Sequence, residues 1–370
     1  MNPLVALCYA ATLFAAQPAK LQFINGGAEP IEVFRINGQN DRAIAGKVPP
    51  GERLVIDSEI GARYAIFEDA GRKETAVTCL VPIQGVWYDP IARQGVPAFY
   101  AQSASAHGYP IVASATVNPY ALKEAAWLID RMLEHRPDVR EAMIRSGSRL
   151  CIEAPSEFTT DLPEFAWLAT THDSPMPTLA PKDYWDRRAR GLGGDEADPY
   201  CSVGEENLLG YPGDPYAAES ILVHEFAHNI HLRGILNVDP TFDARLKQTF
   251  EAAIKAGLWN GKYASVNCQE YFAEGAQSWF DDNRVNDHDH NHVHLRSQLK
   301  DYDPGLAALC AEVFGDRAWR YSKPLTRLSG HLQGYDPSRA PKFAWPARLE
   351  HAGKLIQQAA KDRDERANRK

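Results

Sequence analysis

Hydrophobic and polar positions alternate in short runs through the first part of the chain. Between residues 21 and 68 the runs LQFIN, IEVFRI, ERLVID and ARYAIF have a period of two, which is typical of strands with one buried face. Turn-forming residues separate the runs at positions 26–27, 37–38, 49–51 and 69–71. This spacing favours an antiparallel β-sandwich, and we expect it at residues 20–82.

A helical pattern replaces this alternation after residue 118. Hydrophobic residues recur three or four positions apart between 122 and 133, and similar patterns predict helices at about 215–233, 242–256, 267–280 and 304–314. The run RLCIEA predicts a strand. We expect a connector at residues 83–109, a mainly helical domain at 110–345 and a charged helical tail at 346–370. The predicted fold class is therefore α+β.

An apolar run, LVALCYAATLFAA, occupies residues 4–16. Its length is that of a signal-peptide core, so we expect residues 1–19 to be a signal peptide and the protein to be secreted or periplasmic. A buried N-terminal strand or helix is the alternative. No apolar run reaches the roughly 18–20 residues of a spanning helix, so no integral membrane segment is predicted. The five later cysteines have no CxxC spacing and leave disulfides or free thiols open.

Composition narrows the choice of partners. The chain has 370 residues, 44% of them hydrophobic and 24% charged, as in an ordinary globular protein. It carries 40 basic and 48 acidic residues and a net charge of −8. Because phosphate affinity requires clustered Lys and Arg, no nucleic-acid partner is predicted.

An HExxH motif runs from His224 to His228. On a helix the two histidines project from one face, one turn apart, so both imidazoles can reach one Zn²⁺. Glu225 lies beside that face, where it can hold and deprotonate a water molecule. Asp214 is predicted to cap this helix and Gly234 to end it. The alternative is a buried helix with two chance histidines.

The class of zinc site depends on a third ligand. A metzincin requires Gly at 231 and His at 234, whereas this chain has His231 and Gly234, which excludes that class. A gluzincin takes a glutamate from a later helix, and QEYFAE supplies Glu270 and Glu274 one turn apart. One of them would bind zinc, and the other would accept the outer N–H of a ligand histidine.

The pair HEFAH and EYFAE resembles the zinc site of the anthrax lethal factor catalytic domain, a gluzincin-type metallopeptidase. The resemblance spans about 60 residues around the motifs. It implies that His224, His228 and Glu270 are the zinc ligands and that Glu225 is the base. It also implies that Tyr263 points at the metal, where a phenol can donate a hydrogen bond to the oxyanion of the reacting carbonyl. Glu274 is then left to support a ligand histidine.

Two wider resemblances concern other segments. PIEVFRING, VPPGERLVID and YAIFEDAG resemble the β-domain of the von Hippel–Lindau tumour suppressor. The His-x-Trp of that domain is replaced here by residues 62–64, ARY, so hydroxyproline recognition is not implied. The segments YWDRRARGLGG, SVGEENLL and HEFAHNIH resemble secreted microbial and fungal proteins that include a conidiation-specific protein.

Four further groups have open interpretations. His231 is expected to lie near a ligand, to face substrate or to pack in the core. The His-rich run at 287–294 is interpreted as a solvated loop near the cleft or a second metal site. Residues 205–207 would line the cleft or anchor a loop. The arginines at 187, 188 and 190 would form a solvated face or meet an acidic substrate.

These patterns lead to one principal hypothesis and two alternatives. The principal hypothesis is a secreted, Zn²⁺-dependent hydrolase, a metallopeptidase whose substrate is a peptide, a protein or another amide. One alternative is a zinc-containing binding protein for a cell-surface or matrix ligand. The other is a zinc amidase that acts on a non-protein or glycoconjugate substrate. The oligomeric state is left open.

Overall fold

Two small sheets form the N-terminal part of the chain in the computed structural model, which describes residues 17–38, 41–68, 74–91, 95–171 and 175–367. Most of the predicted signal peptide, residues 1–16, lies outside these ranges, and Pro18 begins the first strand. One sheet has the strand order β4-β1-β7 and the other β3-β2-β5-β6. The strands are β1 (Pro18–Asn25), β2 (Ile31–Asn37), β3 (Asp41–Val48), β4 (Arg53–Glu59), β5 (Arg63–Glu68), β6 (Glu74–Thr78) and β7 (Ile83–Tyr88).

The inner faces of the two sheets share one core. Leu21 and Phe23 of β1 are fully buried with Ile31 and Val33 of β2, as the alternating pattern predicts. The predicted sandwich is thus confirmed, with one difference: β1 pairs in parallel with β7. Residues 83–88 were expected in the connector, because Pro and Gly around them obscured the alternation.

A five-stranded mixed sheet lies at the centre of the C-terminal part. Its order is β11-β12-β10-β9-β8, with β9, β10 and β12 parallel. The predicted strand at RLCIEA is β10, while the other four strands were not predicted. The strands are β8 (Gln102–Ala106), β9 (Tyr109–Ala113), β10 (Arg149–Glu153), β11 (Gly191–Leu192) and β12 (Tyr200–Gly204).

Helices cover this sheet, which confirms the α+β class. The helix of the HExxH motif packs against β12 on one side and against the EYFAE helix on the other. The helices are α1 (Pro119–Met132), α2 (Pro137–Arg145), α3 (Pro181–Arg188), α4 (Glu205–Leu209), α5 (Ile221–Asn229), α6 (Leu236–Val238), α7 (Phe242–Lys255), α8 (Cys268–Trp279), α9 (Arg296–Tyr302), α10 (Pro304–Phe314) and α11 (Glu350–Ala367).

Backbone contacts join the sandwich to the C-terminal part through β7. The Gly85 N–H donates to Ser146 O (2.9 Å), and Ile83 exchanges two hydrogen bonds with the side chain of Asn237. Gly147 has φ +79°, and a Cβ atom there would lie 2.4 Å from Gly85 O. A glycine is therefore required where the two parts meet.

Two questions left by the sequence concern cysteines and membranes. The five cysteines within the described ranges, 79, 151, 201, 268 and 310, are free thiols. None of the helices in those ranges combines the length and the apolar character that crossing a bilayer requires.

Candidate metal centre

Helix α5 begins later than the sequence predicts. Its cap is Ser220, whose hydroxyl accepts from the Val223 N–H, and Asn207 Oδ1 accepts from the Ile221 N–H (2.8 Å). The expected cap, Asp214, instead accepts from the Tyr216 N–H in the preceding turn. Several nearby side chains can cap, so local preference alone did not identify the one that does.

The helix also continues past its predicted end. Ile230–Ile235 is a π-helical segment that leads into α6. Gly234, expected to stop the helix, lies inside this segment, where a Cβ atom would be 2.5 Å from Val139 Cγ1. The glycine therefore serves close packing against α2.

Three ligating atoms converge where α5 meets α8. His224 Nε2 lies 3.2 Å from His228 Nε2 and 3.1 Å from Glu270 Oε2, and His228 Nε2 lies 3.3 Å from the same oxygen. Both histidines are buried. The predicted ligand residues are thus brought together, and within the described ranges they form the one group of three such side chains that could hold a metal ion.

The electrostatics of the cluster favour a cation. Burial lowers the pKa of His224, but the carboxylates of Glu270, Glu225 and Glu274 outweigh it and raise the pKa well above its ordinary value. Burial raises the pKa of Glu270, but His224 and His228 hold it well below its usual range. The pocket therefore attracts positive charge strongly, as a proton or as a metal ion.

The outer nitrogen of His224 contacts a residue that the sequence did not indicate. His224 Nδ1 lies 2.9 Å from Gln277 Oε1, whereas Glu274 Oε1, the predicted acceptor, is 3.6 Å away. Gln277 follows Glu270 by two helical turns on α8, and that spacing could have identified it. Its amide also donates to Glu219 Oε2 (2.9 Å).

Glu274 instead connects the cluster to the His-rich run. Its carboxylate accepts from Asn283 Nδ2 (2.9 Å) and lies 3.3 Å from His290 Nε2. His290 is buried and its Nδ1 lies 2.8 Å from Asp287 Oδ1. Burial raises the pKa of Glu274, but the neighbouring His290 and His224 lower it below its ordinary value. One histidine of the run is thus an internal support, while His288 is exposed.

Tyr263 lies at the edge of the cluster. Its hydroxyl donates to Glu270 Oε1 (3.1 Å), and Arg188 Nη2 donates to the same hydroxyl (3.4 Å). Its backbone N–H donates to Asp289 O (2.8 Å). Burial and the charge of Glu270 raise the pKa of Tyr263 above its ordinary value, so the phenol keeps its proton at neutral pH.

Glu225 and His224 border a cavity of about 460 Å³ that also reaches Tyr263, Arg188 and His288. Strand β11 passes directly beside α5. A Cβ atom at Gly193, just after β11, would lie 2.5 Å from the Cβ atom of His228. The glycines of the GLGG segment therefore set how closely strand and ligand helix approach.

Two further candidates, His231 and Arg190, are structural. His231 is fully buried between the rings of Phe242 and Phe272. Arg190 is buried and bonded to Glu206 and Glu153.

Residues 205–207 anchor the loop before α5. The side chain of Asn207 there donates to Asp214, Tyr216 and Glu219 and so holds the start of helix α5.

Searches of protein-family models and of curated proteins find no match for this chain.

Proposed function

We propose that this protein is a secreted, zinc-dependent metallopeptidase of the gluzincin type, which hydrolyses amide bonds of peptides or proteins. The observation that carries the proposal is the convergence of His224, His228 and Glu270 on one point, with His224 at the wall of an open cleft. The apolar run at residues 4–16 supports export.

The distances within the cluster suit zinc. Ligand atoms of a tetrahedral zinc ion with bonds of about 2.0–2.1 Å lie about 3.3–3.4 Å apart, and the three separations here are 3.1–3.3 Å. Two imidazoles and one carboxylate are the ligand set of catalytic zinc, which leaves a coordination position open to solvent or substrate. When bound, zinc activates water and polarises a carbonyl oxygen.

The residues around the cluster have distinct roles in the proposed reaction. Glu225 accepts a proton from the attacking water and passes it to the leaving nitrogen. Tyr263 donates its phenolic hydrogen to the oxyanion that develops on the carbonyl. Gln277 fixes the tautomer and ring orientation of His224 through Nδ1.

Metal content provides the first test. Purified wild type should hold about one zinc per chain after dialysis, measured by elemental analysis, while His224→Ala and His228→Ala should hold none. His351→Ala changes an exposed histidine of α11 and is the matched control. Full zinc content in both ligand variants would refute the metal site.

Turnover provides the second test. Wild type is incubated with a peptide library with and without chelator, and Glu225→Gln should keep its zinc while turnover falls by about 10² or more. Glu251→Gln, an exposed change on α7, is the control. Tyr263→Phe should also keep zinc and lose turnover. An unchanged rate in Glu225→Gln would eliminate its role as the base.

A further inference from the structure

The arginines that border the cleft differ in what their guanidinium groups contact. Arg190 bonds to buried carboxylates, Arg284 pairs with Glu219, and Arg187 covers the ring of Trp345 at 4.2 Å. Among the described residues, Arg188 has neither a carboxylate nor an aromatic ring as partner. Its charge is thus uncompensated by those residues.

The position of Arg188 is defined at both ends. Its carbonyl oxygen accepts from the Tyr216 hydroxyl (3.3 Å), and its Nη2 donates to the Tyr263 hydroxyl (3.4 Å). That hydroxyl is in turn 3.1 Å from Glu270 Oε1. The guanidinium therefore stands two hydrogen bonds from the ligand cluster, exposed to the cleft.

Most acidic side chains that line the same cleft are already paired, and Glu225 is the proposed base. Glu219 contacts Arg284 at 3.0 Å and Gln277 at 2.9 Å, and Asp289 lies 2.9 Å from His288 Nε2. The planar fork of an arginine matches a carboxylate better than it matches a neutral phenol. Among the described residues no carboxylate pairs with the guanidinium of Arg188, so the complementary group for this place in the cleft is an anion.

We infer that Arg188 binds a carboxylate of the substrate beside the scissile bond, so that the preferred substrates are peptides with a carboxylate at this place. The inference rests on the proposed amide hydrolysis and names its substrate class. An extended peptide advances about 3.3–3.6 Å per residue. The carboxylate therefore belongs to an acidic side chain near the cleaved bond or to a free C-terminus close to it.

The test uses binding as well as cleavage. Zinc-loaded Glu225→Gln protein is immobilised and exposed to three matched synthetic peptide sets: internal Asp/Glu with amidated ends, the same peptides with Asn/Gln, and Asn/Gln peptides with free C-termini. A hydrogen bond to a charged group corresponds to about 10- to 100-fold in affinity. One of the two acid-bearing sets should be retained about 10- to 100-fold more strongly than the neutral set. The set that is retained shows whether the carboxylate comes from an acidic side chain or from a free C-terminus.

Variants of Arg188 then assign the preference. Adding Arg188→Met should abolish the difference between the sets, and Arg188→Lys should keep part of it. Arg245→Met, a change at a half-buried residue of α7, should leave the difference intact. Equal retention of all three sets, retention of none, or a preference that survives Arg188→Met would overturn the inference. The inference would also be overturned if Arg188→Met, made in otherwise wild-type protein, lowered kcat equally on neutral and acidic peptides. Arg188 would then act on the oxyanion and not on a substrate carboxylate.

Digestion of the same sets by wild type separates the two proposals. Cleavage without any acidic preference would refute the role of Arg188 and leave the peptidase standing. Selective retention of acid-bearing peptides without cleavage of any would support the carboxylate site and refute the peptidase.

Discussion

Two buried charged clusters lie on neighbouring elements of the C-terminal part, and they are completed in different ways. In the closed cluster, five hydrogen bonds from Arg190 reach Glu206, Glu153 and two backbone carbonyls. In the histidine cluster, His224, His228 and Glu270 present ligating atoms to one another. The first contains the permanent cation of an arginine, whereas the second can take up positive charge as a proton or, as we propose, as a metal ion. Burial of charge alone therefore does not mark a site; the absence of an internal counter-charge does.

Removing the internal cation should have the largest effect. Arg190→Met leaves Glu206 and Glu153 buried without their partner, so the free energy of unfolding should fall by about 3–5 kcal/mol. Urea unfolding measures this free energy, and the loss should be the same in the presence of zinc and in the presence of a chelator. Arg245→Met breaks two partly exposed pairs, with Glu312 and Asp239, and should cost no more than about 1 kcal/mol for each. A zinc-dependent loss in Arg190→Met would mean that the two clusters are coupled.

The carboxylate of Glu205, next to the closed cluster, shows how burial affects an acid whose partner is a tyrosine hydroxyl and not an arginine. Glu205 is buried and accepts from the Tyr211 hydroxyl, and burial raises the pKa of Glu205 from 4.5 to about 7. The folded state therefore holds a proton that the unfolded state releases between these values, and stability falls as pH rises through this window. At 1.36 kcal/mol per pH unit the loss is about 3 kcal/mol.

Glu205→Gln carries no titrating group and should lose less stability over the same range. The difference in unfolding free energy between wild type and this variant, measured at pH 5 and pH 8, checks the expectation. Glu251→Gln should show no such trend. A difference that is constant with pH would contradict the raised pKa.

The smallest effect concerns the support of the histidine cluster. Gln277→Leu removes the acceptor of His224 Nδ1, so zinc affinity should fall about 10–100-fold, or about 1.4–2.7 kcal/mol. Competition with a fluorescent chelator measures it. Glu274→Gln should cost less, since that carboxylate lies 3.6 Å from His224. His231→Gln alters a histidine of the same helical run that packs against core rings and lies 3.3 Å from Asp243 Oδ1, so it should leave zinc affinity unchanged. A larger loss in Glu274→Gln than in Gln277→Leu would place Glu274 as the main support.

The sequence predicted the parts of this molecule that depend on local periodicity. Alternating runs predicted the sandwich strands, and the spacing of HEFAH and EYFAE identified residues that the fold brings within 3.3 Å of one another. The ion, the reaction and export remain predictions.

What the sequence missed depends on packing between distant segments. β1 and β7 pair across about 60 residues, and β11 has only two residues, too few for a periodic signal. Gln277 reaches His224, and His290 reaches Glu274, through tertiary packing. Arg190 was expected on a solvated face or in contact with substrate, but the carboxylates that bury it come from β10 and α4.

The close approach of the GLGG segment to α5 limits which sequences this chain can accept. Gly193 bonds to no ligating atom, yet any larger residue there would place its Cβ atom 2.5 Å from that of His228. A side chain at position 193 would therefore displace His228, a proposed zinc ligand on the neighbouring helix. A randomised library of the protein would find this position as intolerant as the histidines themselves, for a reason of space and not of chemistry.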